Sequence, residues 1–347
     1  MVNKLRYLKY FLVINTKKVF VGPYEIQLNI INNCNLRCDF CWLYSKFIKN
    51  SLGNNSLWRR KFMNLELAYK ILKEAAVIKT NKIIILGEGE PLLHPNIKEI
   101  VNKIKSLKMK CELLTNGTML NYKIDDFLVK KLDRLIVSLN AATAKSYEKI
   151  TASKQFKYIL NNLKIINKFR KKYKSKMRLV ISYILFKDSL KEVDKIIKIA
   201  KKLDAEIYFR EFIPVKETQH LACNLTKNQI NEWISFSKKL NVKTNLKDFL
   251  MRSKNKNCFV EQCYMGFLMT RIKVDGKVVP CCNCYSWIIG DLKKETLHKI
   301  WFCNYKKFRN SFNDLNSRKH NNCDCNFCQM KKFNYYLSKF DFLRIFS

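Results

Sequence analysis

The chain has 347 residues, 48% of them hydrophobic and 13% aromatic, enough for a full-sized buried core and too apolar for a disordered polypeptide. No apolar run reaches the roughly 18 residues of a membrane span, and the start MVNKLRYLKYFLVINTKKVF has a short apolar stretch without a small-residue cleavage site, so no signal peptide is expected. The net charge of +39 points towards nucleic acid or an anionic membrane, but only 13 of the 67 basic residues are Arg and the lysines are scattered, so a solvated basic surface is the expected reading and neither partner is favoured.

After an N-terminal extension (1–23), strand-like and helix-like segments alternate. Runs rich in β-branched and aromatic residues lie at 24–31, 82–87, 110–117, 134–140, 178–185 and 205–212. Several are apolar almost throughout, as strands buried on both faces would be. Helical spacing is clearest at 65–79, 96–107 and 189–203, with Asn64 and Asp188 placed as caps. Six such units over 24–225 predict an α/β fold: a parallel sheet with right-handed crossovers, a partial (β/α)6 TIM-like barrel with its chemistry at the C-terminal strand ends. Residues 226–254 read as a connecting helix, 255–332 as a small Cys-rich domain that metal would hold together, and 333–347 as a basic aromatic tail. The tail and the first twenty residues fit packing against the barrel better than an interfacial membrane segment.

Fourteen cysteines without an export signal are expected as metal ligands or catalytic groups in a reducing, cytoplasmic setting rather than as disulfides. Three of them, Cys34, Cys38 and Cys41, fall within INNCNLRCDFCWLYS after the first strand. The spacing fits a cuboidal iron–sulfur cluster held by thiolates. A structural zinc site needs a fourth ligand, and no nearby Cys or His supplies one. Three thiolates on a 4Fe–4S cluster leave one iron open.

Cys-x3-Cys-x2-Cys, with Phe40 before the last Cys, resembles the signature of the radical SAM superfamily. The resemblance implies that the open iron of a 4Fe–4S cluster on Cys34, Cys38 and Cys41 binds S-adenosylmethionine (SAM). One electron then cleaves the sulfonium and releases a 5′-deoxyadenosyl radical. An electron donor such as flavodoxin or ferredoxin is implied. LGEGEPLLHP (86–95) resembles the family's GGEP segment at the SAM amine, with Glu88 in place of the first Gly and Gly89, Glu90 and Pro91 retained. TNGT (115–118) and VSLNAAT (137–143) resemble the polar ends of strands 3 and 4, making Asn116, Ser138 and Asn140 candidate SAM contacts. Each of these is equally a cap or turn residue by type. The Arg-Gly dipeptide that many relatives carry after strand 4 is absent; Lys149 and Lys154 are weak substitutes. Ser182 and Arg210 are weaker candidates still, with packing or ion pairing the simpler reading.

CYMGFLMTRIKVDGKVVPCC and the closing CDCNFC resemble the SPASM/twitch extension of this superfamily. Asp275-Gly276 within alternating apolar residues is a hairpin signal that brings Cys263 and Cys281 together. The resemblance implies one auxiliary 4Fe–4S cluster on Cys263, Cys281, Cys325 and Cys328. Cys258 could compete as a ligand; Cys282, Cys284, Cys303 and Cys323 are spare, and a second irregular cluster would have to use them. Cys111 and Cys223 are expected as buried apolar side chains.

The expected function is therefore an oxidoreductase or maturase-type enzyme abstracting hydrogen from a substrate C–H bond. The auxiliary cluster would accept an electron or hold the substrate, a peptide or small molecule. The 43 residues between Cys281 and Cys325 lean slightly towards small-molecule dehydrogenation. The alternatives are a non-catalytic iron–sulfur scaffold, against which the intact triad and Glu90 argue, and an RNA-modifying member, suggested only by the charge.

Overall fold

Six strands form the frame: β1 (Glu25–Asn29), β2 (Lys82–Leu86), β3 (Lys110–Thr115), β4 (Arg134–Ser138), β5 (Arg178–Leu185) and β6 (Glu206–Glu211). All pair parallel with their sequence neighbours. The structure, a computed structural model, describes residues 2–254, 262–314, 316, 323, 328 and 331–338. Three more strands, β7 (Met269–Ile272), β8 (Lys277–Val279) and β9 (Gly290–Asp291), extend the same sheet in the order β6-β5-β4-β3-β2-β1-β7-β8-β9. β6 and β9 are its two edges, so the result is the partial barrel expected from six β/α units.

The helices start where local chemistry starts them. The Asn64 side chain accepts from Leu67 N at 2.8 Å and opens Leu65–Val77. Asp188 does not cap its helix: it pairs with Lys149 at 2.7 Å, and a 3-10 turn, Ser189–Glu192, precedes the α-helix Val193–Lys202. Lys149, on the helix Ala144–Thr151, lies within reach of the Asp188 carboxylate.

One face of each strand packs under the helices, with Ile83, Ile85, Leu113, Leu135, Val137, Leu179 and Ile181 in the main core. The inner face is not uniformly apolar, which corrects the reading of strands buried in apolar surroundings on both sides. Near the N-terminal strand ends a band of alternating charge crosses the sheet. Lys82 Nζ lies 2.8 Å from Glu25 and 3.6 Å from Glu112, Arg134 pairs with Glu112, and Arg178 makes two 2.7 Å bonds to Glu206. Burial alone would raise the Glu25 carboxyl, but the adjoining Lys82 ammonium outweighs it and holds the group below its ordinary value. Above this band the inner face turns apolar at Ile84, Ile136 and Val180.

Residues 226–254 are two helices, Lys227–Lys239 and Lys247–Lys254, rather than one connector. The first buries Ile230, Trp233 and Ile234 in the barrel core. Asn245, between them, exchanges two bonds with the Phe209 backbone at 2.7 and 2.9 Å and covers the edge of β6. The Cys-rich region is likewise less dependent on metal than its composition suggests. Asp275-Gly276 makes the expected hairpin, with Gly276 at φ +87°. Its β7 pairs parallel with β1, and Leu292, Leu297, Ile300, Trp301, Tyr305 and Phe308 join the barrel's own core.

Tyr10, Val13 and Ile14 of the N-terminal helix Val2–Thr16 form a second small core with Phe267, Leu268 and Leu337. The helix Lys331–Ser338 therefore packs against the other chain end and the segment before β7, while 339–347 lie outside the described residues. Among the described residues no helix is long and apolar enough to cross a membrane.

Candidate active site at the strand ends

Cys34, Cys38 and Cys41 lie on the loop that follows β1. The loop is pinned by its backbone: Asp39 N donates to Ile150 O at 2.9 Å, Cys41 N to Cys38 O at 3.0 Å, and Ser45 N to Cys41 O at 3.1 Å. Tyr44 OH donates to Asn32 O beneath it. The three thiols share a cavity of about 190 Å³ with the Gly87–Gly89 backbone, Glu88 and Arg271.

Burial pushes the Cys34 thiol up to about 11, and the Glu90 and Cys41 charges add to this. Cys38 is raised by burial and by Cys41 and Cys34, and Cys41 by burial. Three thiolates so close in a dry site call for a cationic partner. Among the described residues no three His, Cys, Asp or Glu side chains converge tightly enough to hold a single metal ion. An all-sulfur donor set around a cavity of this size fits an iron–sulfur cluster.

The GEGEP segment is built against the Cys loop. A Cβ on Gly89 would lie 1.8 Å from Asn33 O, and one on Gly87 2.7 Å from Ile31 O. Both glycines thus serve backbone-to-backbone approach, with Gly89 N donating to Ile31 O (3.1 Å) and Glu90 N to Asn33 O (2.8 Å). Glu90 is buried, and its carboxylate is largely occupied: Oε1 accepts from Thr115 Oγ1 (2.6 Å) and Leu92 N (2.9 Å), Oε2 from Asn116 N (2.6 Å). Burial pushes it up to about 7 despite these bonds. Pro91 opens the short 3-10 turn that Glu90 caps.

Asn116 faces the triad. Its Nδ2 lies 4.0 Å from Cys34 Sγ and donates to Asn35 Oδ1 at 3.0 Å, while its Oδ1 accepts from Thr118 N and Oγ1. Asn140 is spent on the frame, accepting from Ile184 N at 3.0 Å. Ser138 stands beside Ser182 in register and makes no side-chain hydrogen bond among the described residues. Phe40 packs 6.1 Å from Phe186. Lys149 and Lys154 are surface ion-pair partners of Asp188 and Glu148, so neither reaches the site. Arg210, on β6, lies over the Tyr208 ring.

In the C-terminal region Cys263, Cys282 and Cys328 all lie near enough to Cys281 for their charges, with its burial, to push that thiol up. Cys325 and Cys258 lie outside the described residues. Cys284 and Cys323, left as spare by the sequence pattern, pair with each other as a disulfide. Cys303 is exposed and Cys111 buried, whereas Cys223 is only partly buried, its Sγ 3.5 Å from Leu185 O.

The Radical SAM superfamily model matches residues 28–200, and the model for an iron–sulfur cluster-binding SPASM domain matches 263–329. The chain belongs to the radical SAM superfamily. Its fold is a partial TIM-like barrel with a C-terminal SPASM domain, and this radical SAM architecture carries a SAM-binding 4Fe–4S cluster and auxiliary iron–sulfur chemistry. Among curated relatives, a GTP 3′,8-cyclase of Clostridium perfringens is 27% identical over 62% of this chain, and a probable GTP 3′,8-cyclase of Methanocaldococcus jannaschii 28% identical over 56%. The chain spans 63% and 60% of their respective lengths. Among solved structures, Streptococcus suis SuiB bound to S-adenosylmethionine superposes with TM-score 0.65 at 15% identity, over 86% of this chain and 70% of that one. The protein anSMEcpe with bound AdoMet and a peptide gives 0.61 at 18%, over 92% and 96%.

Sequence reasoning missed a group that crosses the molecule. Glu88 Oε1 accepts from Asn29 Nδ2 at 2.5 Å and from Tyr285 OH, 197 residues away. The period-two pattern in TRIKV, which puts Arg271 and Lys273 on one face, was the available signal.

Proposed function

We propose that this radical SAM enzyme abstracts hydrogen from a C–H bond of a peptide substrate. Cys34, Cys38 and Cys41 would hold the 4Fe–4S cluster, which would supply the electron for reductive cleavage of SAM. The single observation that carries the reading is the placement of three part-buried thiols, with no fourth among the described residues, in one cavity with the Gly87–Gly89 backbone. Asn116 Nδ2, 4.0 Å from Cys34 Sγ, would help orient that thiol. Glu90, tied to Thr115 and Asn116, fixes the end of β2 against that of β3, and its carboxylate would have one acceptor position left for the SAM amine. Ser138 has its hydroxyl free for a SAM contact. Cys263, Cys281, Cys325 and Cys328 hold one auxiliary 4Fe–4S cluster.

The peptide assignment is supported by the nearly full-length likeness to a fold solved with bound peptide. A nucleotide substrate is the second reading, favoured by the names of the barrel's sequence relatives. The dehydrogenation suggested by Cys spacing finds no counterpart in those names. The test is anaerobic reconstitution of the full chain with iron, sulfide, SAM and dithionite. Wild type is expected to form 5′-deoxyadenosine and bind about eight irons, and Cys38→Ala to form none while keeping about four. Wild type that forms no 5′-deoxyadenosine overturns the enzyme reading.

A further inference from the structure

Arg271 stands on β7 opposite Gln27 of β1 and lines the same cavity as the three thiols. Its Nε is buried without a hydrogen-bond partner, and it has no carboxylate partner among the described residues. Arg59, Arg134, Arg210 and Arg309 also carry a buried guanidinium nitrogen without a partner among the described residues, but of the five Arg271 is the one that lines the cavity. Lys273, at the end of the same strand, holds its Nζ 4.0 Å from the centre of the Tyr285 ring, and Arg271 approaches that ring at 6.0 Å. Two cations therefore lie against one aromatic ring beside the cavity.

The nearest carboxylate does not resolve this. Glu88 Oε1 is taken by Asn29 and by the Tyr285 hydroxyl, so Glu88 anchors the ring on which the cations rest. Trp42, half exposed, meets Tyr285 edge-on at 5.7 Å and joins this wall to the Cys loop. The wall thus combines two cations, two aromatic rings and an unsatisfied donor, next to the thiols.

We propose that Arg271 and Lys273 receive an oxyanion of the substrate, a carboxylate or a phosphate, and so fix which of its C–H bonds faces the SAM site. This rests on the radical SAM reading above. A bidentate guanidinium contact would set the orientation, and Lys273 would add charge at the rim.

The test uses the full chain, iron-loaded and saturated with SAM, titrated calorimetrically with phenyl phosphate, benzoate and, as the neutral control, benzamide. Wild type is expected to bind at least one anion more tightly than benzamide, and the preferred anion tells phosphate from carboxylate. Arg271→Gln is expected to weaken that anion about tenfold, ~1.4 kcal/mol, and Lys273→Gln about threefold, with benzamide unaffected by either. Arg271→Lys should restore part of the loss. SAM binding should be unchanged in all three variants, and substrate-free formation of 5′-deoxyadenosine unchanged in Lys273→Gln. The proposal is overturned if wild type binds neither anion better than benzamide, or if Arg271→Gln leaves the anion affinity intact. It is equally overturned if Arg271→Gln loses SAM binding along with the anion, because the oxyanion would then be SAM's own carboxylate. Failure of wild type to cleave SAM is a separate readout and bears on the enzyme reading instead.

Discussion

The two ends of the barrel treat charge in opposite ways. At the N-terminal strand ends Glu25, Lys82, Glu112, Arg134, Arg178 and Glu206 interlock, so each charge has a partner across the sheet. At the C-terminal ends Arg271 and Arg210 make no ion pair among the described residues, whereas the floor's unpartnered Arg134 Nε belongs to a guanidinium already paired with Glu112, and three thiols crowd one cavity. Interlocked charges make a floor that resists opening, whereas unfinished ones await a ligand. The contrast separates the stabilising end of this barrel from its chemical end on physical grounds.

Breaking the floor should give the largest effect. Lys82→Met leaves Glu25 and Glu112 buried without their shared cation and is expected to destabilise the fold by about 3–5 kcal/mol. Denaturant titration measures this, and SAM cleavage per folded molecule should stay constant; a stable variant with lost cleavage would erase the division between the ends. At the other end Gly89→Ala forces a Cβ towards Asn33 O. A cost of about 1–3 kcal/mol is expected, and the displaced Cys loop should bind less iron than wild type under equal reconstitution.

The smallest effect tests an unpaired acid beyond the TNGT turn. Asp125 is fully buried, neither of its carboxylate oxygens has a partner, and burial pushes it up to about 7. Because the folded chain holds this proton more tightly than the unfolded one, its contribution to stability is present at low pH. It is lost as pH rises from the ordinary carboxylate value of 3.8 to about 7. Asp125→Asn should flatten that part of the stability–pH curve, as measured by denaturant midpoints; an unaltered slope would show that another group governs it.

What the sequence disclosed follows from range. The Cys triad, GEGEP and the Asp275-Gly276 hairpin are local patterns, so their placement at strand ends could be read directly. The charged floor could not, because it depends on the register of six strands: five of its residues look like ordinary strand starts and Glu112 like an isolated polar residue within a strand. Tyr285 reaching Glu88 and the Cys284–Cys323 pairing required the tertiary path of the Cys-rich region. Composition also misjudged that region: Trp301 and Tyr305 borrow a core from the barrel instead of building one.

The parallel pairing of β1 with β7 has a mechanical consequence. The Cys34–Cys41 loop hangs from one strand, and Cys263 and Cys281 flank the hairpin that begins with its neighbour. Cys281 lies across from Met269, at the strand end opposite the one the Cys34–Cys41 loop leaves, so their separation is ruled by the length of the paired strands at about 3.3 Å per residue, rather than by a swinging tether. Whatever passes between the two sulfur-rich sites crosses a gap of fixed width.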